Sequence, residues 1–212
     1  MTQYYSWLSP LDWQQARQNN HDRISSDDLL IKSPREAFGH YAFHMGKYPY
    51  GVAQAWQDDD NIQFAHTLTK AFIVTLAAAN RLERRNFSLH DQLPSDVKEH
   101  RTLRQLTQAM AQRNPITLDR TGSLLHTAWH MATKWSYNFG KAAEDSDHLS
   151  GDFGSKATGA VTNACLDILR LAGKASIDLY QLAEAARTAR EDGHFRRIIQ
   201  PEWQPLPSYT CN

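Results

Sequence analysis

The stretch from about Asp59 to Arg85 limits the fold more than any other part of this chain. Phe64, Leu68, Phe72, Ile73 and Leu76 recur at helical spacing and lie on more than one side of the helix they would form. A helix that is apolar on several sides has to be surrounded. The spacing therefore predicts a central helix with other helices packed around it. Its longest apolar run, residues 71–79, is too short to span a bilayer. Alternating β-branched runs bounded by turns, the mark of strands, are almost absent from the chain.

The flanking punctuation is helical too. Ser9-Pro10 and Ser33-Pro34 read as helix starts, as does "SSDDLL" at 25–30. The helix after Ser33 is expected to end near "GKYPYG" (46–51), where Gly and Pro interrupt it. Ser95 or Asp96 should cap a helix through Arg113, and Thr121 should open one that runs to about Glu144. "DSDHLSGDFGS" (145–155) is the most loop-like segment, followed by helices near 156–172 and 176–192 and a Pro-rich tail. The expectation is an all-α bundle of about seven helices. Residues 1–145 would form the bundle and 146–212 a C-terminal helical pair with an extended tail, or the two would be one continuous domain.

Composition narrows function mainly by exclusion. Lys+Arg and Asp+Glu cancel at 23 each, so a basic surface has to be local. The two Cys, Cys165 and Cys211, make no CxxC spacing and fit a reducing compartment. The N-terminal "MTQYYSWLSPLDW" has neither a basic n-region nor an apolar h-region, so a cytoplasmic protein without a membrane anchor is expected. There is no GxSxG, and "GDFGSKATG" (151–159) lacks both Walker spacing and a preceding strand. No cofactor is expected.

Two hexapeptides stand out, "HYAFHM" (40–45) and "HTAWHM" (126–131). His residues four apart share a helix face and can hold one metal ion, which makes His40, His44, His126 and His130 an alternative metal site. Helical phase argues for a plainer role. Leu125, Trp129, Ala132, Ser136 and Phe139 define the inward stripe of the later helix, and Phe38, Tyr41, Ala42 and Met45 that of the earlier one. Both His pairs then fall on the flanks, as solvated or groove-lining side chains.

"RRNFSLH" (84–90) places Arg85, Asn86 and His90 in an R-N-x-x-x-H spacing, with "RTGSLLH" (120–126) as a looser variant. This resembles the motif of HEPN-type ribonucleases, all-α enzymes that cleave RNA. The resemblance implies Arg85 as the group stabilising phosphorane charge and His90 as the proton carrier. In that family the motif lies on a helix, whereas "HDQLPSD" breaks the chain here. Basic residues also cluster at Arg81, Arg84, Arg85, Lys98, Arg101 and Arg104, and again at Arg187, Arg190, Arg196 and Arg197 near Phe195 and Trp203. Arg interleaved with aromatics suits phosphate contact and base stacking without sequence readout.

The C-terminal third carries a second likeness. Leu169-Arg170-Leu171, Gly173, Ile177-Asp178-Leu179 and Phe195-Arg196-Arg197 before Trp203 follow one another in "CLDILRLAGKASIDLYQLAEAARTAREDGHFRRIIQPEW". This segment resembles the end of the small subunit of type I-E CRISPR surveillance complexes (Cascade). The resemblance implies a non-catalytic subunit of a ribonucleoprotein, packed beside other subunits and a copy of itself. It would contact crRNA paired with target DNA, or the displaced strand, through basic side chains. By position these would be Arg84, Arg85, Arg101, Arg104, Arg170, Arg196 and Arg197. A binding protein of this kind is the leading expectation, with the ribonuclease or a His-ligated metalloprotein as alternatives.

Overall fold

The computed structural model describes residues 8–25, 31–82, 87–113, 123–145 and 152–191. Within them the fold is all-α, with eight helices, one 3-10 turn and no strand. Helix α1 (Pro10–Ser25) starts where Ser9 donates to Asp12 Oδ2 at 2.6 Å and accepts from the Asp12 N–H. Helix α2 (Pro34–Gln57) opens on a complete capping box. Ser33 accepts from the Glu36 N–H while the Glu36 carboxylate accepts from the Ser33 N–H at 2.9 Å. The proposed helix start at 26–30 lies outside the described residues.

Helix α2 does not stop at "GKYPYG"; it continues through Pro49 to Gln57. An internal proline costs about 3 kcal/mol in a free helix. Here the second half buries Val52, Ala53 and Ala55 and sets Trp56 5.3 Å from Phe64, which offsets that cost. The glycines serve close approach instead. A Cβ on Gly46 would lie 3.2 Å from Ser136 Oγ, and one on Gly51 3.1 Å from Thr67 Cγ2.

Helix α3 (Asn61–Asn80) is the central helix, contacting α1, α2, α7 and α8. Phe64, Leu68, Phe72 and Leu76 are buried, and the hydroxyls of Thr69 and Thr75 bond back to the carbonyls of Ala65 and Ala71. It is apolar and long enough to cross a membrane, but most of that surface is buried inside the bundle. It ends at Asn80, short of the expected Arg85, where Asn80 Nδ2 donates to the Gln15 carbonyl of α1.

The expected helix from Ser95 to Arg113 is two helices, α4 (Ser95–Lys98) and α5 (Leu103–Arg113). A second capping box restarts the chain. The Gln105 N–H donates to Thr102 Oγ1, and Gln105 Oε1 accepts from the Thr102 N–H, each at 3.1 Å. Helix α6 (Ser123–Asp145) packs along α2, and α7 (Phe153–Lys174) packs on α3, α5 and α6. Helix α8 (Leu179–Glu191) returns beside α1 and α3. Among the described side chains of α6, Met131, Trp135, Phe139 and Ala142 face inward; Phe139 is there as expected, Ser136 is half-buried, and the side chains of Leu125, Trp129 and Ala132 lie outside the described ones. One apolar core runs from Leu11 to Ala183 and includes residues that precede 145 and residues that follow 155. Phe38 ties three helices together, stacked on Phe139 at 5.7 Å and edge-on to Phe153 at 5.2 Å.

Two helix joints share one design. At the end of α2 the N–H of Asp60 reaches the Ala55 carbonyl (2.8 Å) and that of Asp59 the Trp56 carbonyl. After α7 the N–H of Ile177 reaches Ala172 (2.8 Å) and that of Ser176 reaches Gly173. Both are Schellman closures, with Asp59 (φ 58°) and Ser176 (φ 56°) in the left-handed position usually held by Gly. An Asp then caps the next helix. Asp60 accepts from the Gln63 N–H at 2.9 Å and Asp178 from the Gln181 N–H at 3.1 Å.

Candidate nucleic-acid interface

The arginines proposed from the sequence meet different fates. Arg101 and Arg104 are exposed at the start of α5. Arg170 on α7 is turned to internal use, donating to Asp167 Oδ1 at 3.0 Å. Arg84, Arg85, Arg196 and Arg197 lie outside the described residues. His90 is half-buried and opens the 3-10 turn His90–Gln92, so the segment following the R-N-x-x-x-H spacing is a loop and short turn.

The His hexapeptides do sit on the paired helices α2 and α6. His40 and His130 are exposed and His44 is half-buried; the His126 side chain lies outside the described ones. The His40 and His44 rings meet edge-on at 4.5 Å. No group of three His, Cys, Asp or Glu able to hold a metal ion occurs among the described residues.

Sequence reasoning missed what surrounds His44. Its ring stacks on Tyr48, centroids 5.6 Å apart, with Nδ1 3.1 Å from the Tyr48 hydroxyl. Lys47 Nζ lies 5.3 Å from the Tyr48 ring centre and 5.7 Å from that of Phe43, within cation–π range of both. Phe43 is 73% exposed and Tyr50 54%. On α3, Lys70 lies within electrostatic range of Lys47, and His66 stands one turn before it, next to Thr67, whose Cγ2 is 3.1 Å from where a Cβ on Gly51 would lie.

The electrostatics of this edge are one-sided. Burial, then Lys47 and His40, push His44 down to about 4. Burial followed by Lys47 lowers Lys70, and burial followed by Lys70 lowers His66. Burial alone raises Tyr48 to about 12. No carboxylate offsets any of these shifts.

A second polar cluster joins α1 to α8. Arg187 is fully buried, donating to Glu184 Oε1 at 2.8 Å and to Gln14 Oε1. Arg17 makes a two-pronged bond to Glu191 (2.8 and 3.0 Å), and His21 Nδ1 lies 2.9 Å from Glu191 Oε1. Bonding to Arg17 above all holds Glu191 down to about 2. Burial pushes Arg187 down to about 10 and raises Asp22 to about 6, against the Gln18 bond and the fields of Arg190 and Arg187. Opposite charges meet here across two helices, which is the work of a lock between elements, while Gln14 Nε2, Gln18 Oε1 and Arg187 Nε are buried without a hydrogen-bond partner among the described residues.

The start of α5 and the α2–α3 edge thus carry cations that make no ion pair among the described residues, and an ionic lock joins α1 to α8. The sequence matches no protein-family model, no curated protein and no solved structure, so the functional argument rests on this geometry.

Proposed function

We propose that this protein is a non-catalytic, cytoplasmic subunit of a larger ribonucleoprotein assembly that binds nucleic acid. It would act in the manner of a Cascade small subunit, contacting a guide RNA–target DNA duplex or the displaced strand.

Cations left without ion pairs support this reading most. The chain is neutral, and nine carboxylates among the described residues cap helices or pair with cations of the fold. Asp60, Asp152 and Asp178 accept from helix N-terminal N–H groups, and Glu36 completes a capping box. Asp96, Asp145, Asp167, Glu184 and Glu191 are taken by internal ion pairs. A carboxylate at a helix N-terminus is partly offset by the helix dipole. Lys47, Lys70, Arg101 and Arg104 make no ion pair among the described residues. Cations of this kind give local positive charge, which suits a phosphate backbone.

Charge reversal tests the reading. A fluorescently labelled oligonucleotide should bind the wild-type chain at low salt, and Arg101→Glu with Arg104→Glu should weaken it by about tenfold or more. An unaltered affinity would remove α5 from the interface, and no binding by the wild-type chain would remove the reading altogether.

A further inference from the structure

We propose that the outer face of α2, edged by Lys70 and His66 of α3, is a docking strip for single-stranded nucleic acid. Lys47 and Lys70 would meet the phosphates, and Phe43 and Tyr50 would stack on bases. The inference rests on the nucleic-acid-binding reading and assigns it a place and a strand form.

The spacing comes first. Phe43, Lys47, Tyr50 and Gln54 follow one another at steps of four, three and four, so they line one face of α2. That face points away from the core, which is built from Phe38, Tyr41, Met45, Val52 and Ala53. Phe43 and Tyr50 are seven residues apart, roughly 10 Å along the axis. Two exposed rings with Lys47 between them in the sequence offer apolar faces and one positive charge along that line, which ends at Gln54, whose amide donates to exposed Asp58 at 2.9 Å. A backbone of phosphates carrying unpaired bases has the complementary groups.

The second observation is the make-up of the edge. His44, Lys47 and Tyr48 sit together on α2, with Lys70 of α3 in electrostatic range of Lys47 and of His66; the ammonium groups can donate to an anion, and the bonded His44–Tyr48 pair keeps one N–H or O–H to spare. Lys47 is near enough to Lys70 to disfavour its charge, and to His44 likewise. Two like charges within range of each other repel in the free protein. A phosphate between them relieves that repulsion. The Lys47 ammonium is meanwhile held over the Phe43 and Tyr48 rings, which keeps it at the surface near where a base would lie.

The exposed rings favour a single strand over a duplex. Stacking on Phe43 and Tyr50 requires bases whose faces are free, and in a duplex those faces are taken by neighbours. A duplex could meet only the ammonium groups.

The test uses the full chain and labelled 15-nucleotide poly-dT and poly-U, with a mixed-sequence duplex of the same length, followed by anisotropy. Phe43→Ala with Tyr50→Ala should weaken single-strand binding by about tenfold, in line with base stacking on aromatics, and leave duplex binding unchanged. Lys47→Glu with Lys70→Glu should weaken both. Phe43 and Tyr50 are exposed, so melting by circular dichroism should match wild type and exclude unfolding as the cause. The strip is refuted if both double variants bind single strands as tightly as wild type, while the Arg101 and Arg104 reversals abolish binding. Tighter binding of duplex than of single strand by the wild-type chain also refutes it. Failure of the wild-type chain to bind any of the three probes at low salt refutes the underlying reading as well.

Discussion

The indole Nε1 of Trp135 donates to Asp167 Oδ2 at 3.0 Å, joining α6 to α7 inside the core. The same carboxylate accepts from Lys134 Nζ (3.2 Å) and Arg170 (3.0 Å). Asp167 is therefore the acceptor on which three donors depend. Asp167→Ala should cost about 3–5 kcal/mol, because it leaves two cations and an indole N–H without their shared partner. Asp167→Asn, which keeps an oxygen for Trp135, should cost less. Urea unfolding of the two variants measures the difference. Arg170→Ala should lower stability while leaving the oligonucleotide affinity of the folded protein essentially unchanged, since its guanidinium serves this node.

Asp22 predicts a pH effect of definite sign. Burial raises its pKa to about 6 from an ordinary 3.8, so the fold favours the protonated form. Its contribution is fully present below about pH 4 and is lost as pH rises through 6. Asp22→Asn retains an oxygen to accept from Gln18 Nε2, now at 2.7 Å, and removes the buried charge. The variant should be more stable than wild type at pH 7, by about 1–3 kcal/mol, and nearly equal at pH 4. Denaturant midpoints at the two pH values check this. Equal differences at both would show that Asp22 does not titrate as its surroundings require.

The two Schellman joints make a paired prediction. Asp59 and Ser176 hold positive φ, a conformation that costs an L-residue about 1–2 kcal/mol relative to glycine. Asp59→Gly and Ser176→Gly should each stabilise by up to about 1 kcal/mol after the entropy gained by the unfolded chain, and the two should add. Gly173→Ala should act in the opposite direction. A Cβ there would overlap the Thr107 carbonyl oxygen where α7 crosses α5, so about 1–3 kcal/mol of destabilisation is expected. Thermal melts of the three variants settle the signs.

The His pairs predict a negative result with a positive control. His44 is held neutral by burial and by Lys47, and its Nδ1 already faces the Tyr48 hydroxyl. Zinc added to the chain and passed through gel filtration should not co-elute stoichiometrically, and His44→Ala should not change the amount retained. One zinc per chain, lost in His44→Ala, would restore the metal reading of His40 and His44.

The helical class was legible because strand patterns are missing and because Ser9 and Ser33 announce their helices through local bonds. Features set by distant residues were not legible. Gln14, Gln18, His21 and Asp22 are polar residues of α1, yet all four are buried. Their burial depends on Arg187 and Glu191, more than 160 residues away in sequence. Pro49 misled for a related reason. Its local cost is real, but packing of Trp56 on Phe64 and burial of Val52 and Ala53 outweigh it. The candidate interface was half legible. The flank position of the His pairs followed from helical phase, and His40 is exposed. Lys70 lies in a helix whose apolar residues dominate its reading, and only the α2–α3 crossing brings it within electrostatic range of Lys47.

The central claim is that local positive charge on a neutral chain binds phosphate backbones, and its signature is salt dependence. The affinity for a labelled single strand should be measured between 50 and 300 mM salt, as a titration of about these limits. With four cations engaged, Lys47, Lys70, Arg101 and Arg104, log K should fall against log salt with a slope near about −3, from ~0.7 counterions released per phosphate. Each charge reversal at these positions should flatten the slope. A slope near zero, or one unmoved by all four reversals, would contradict the account.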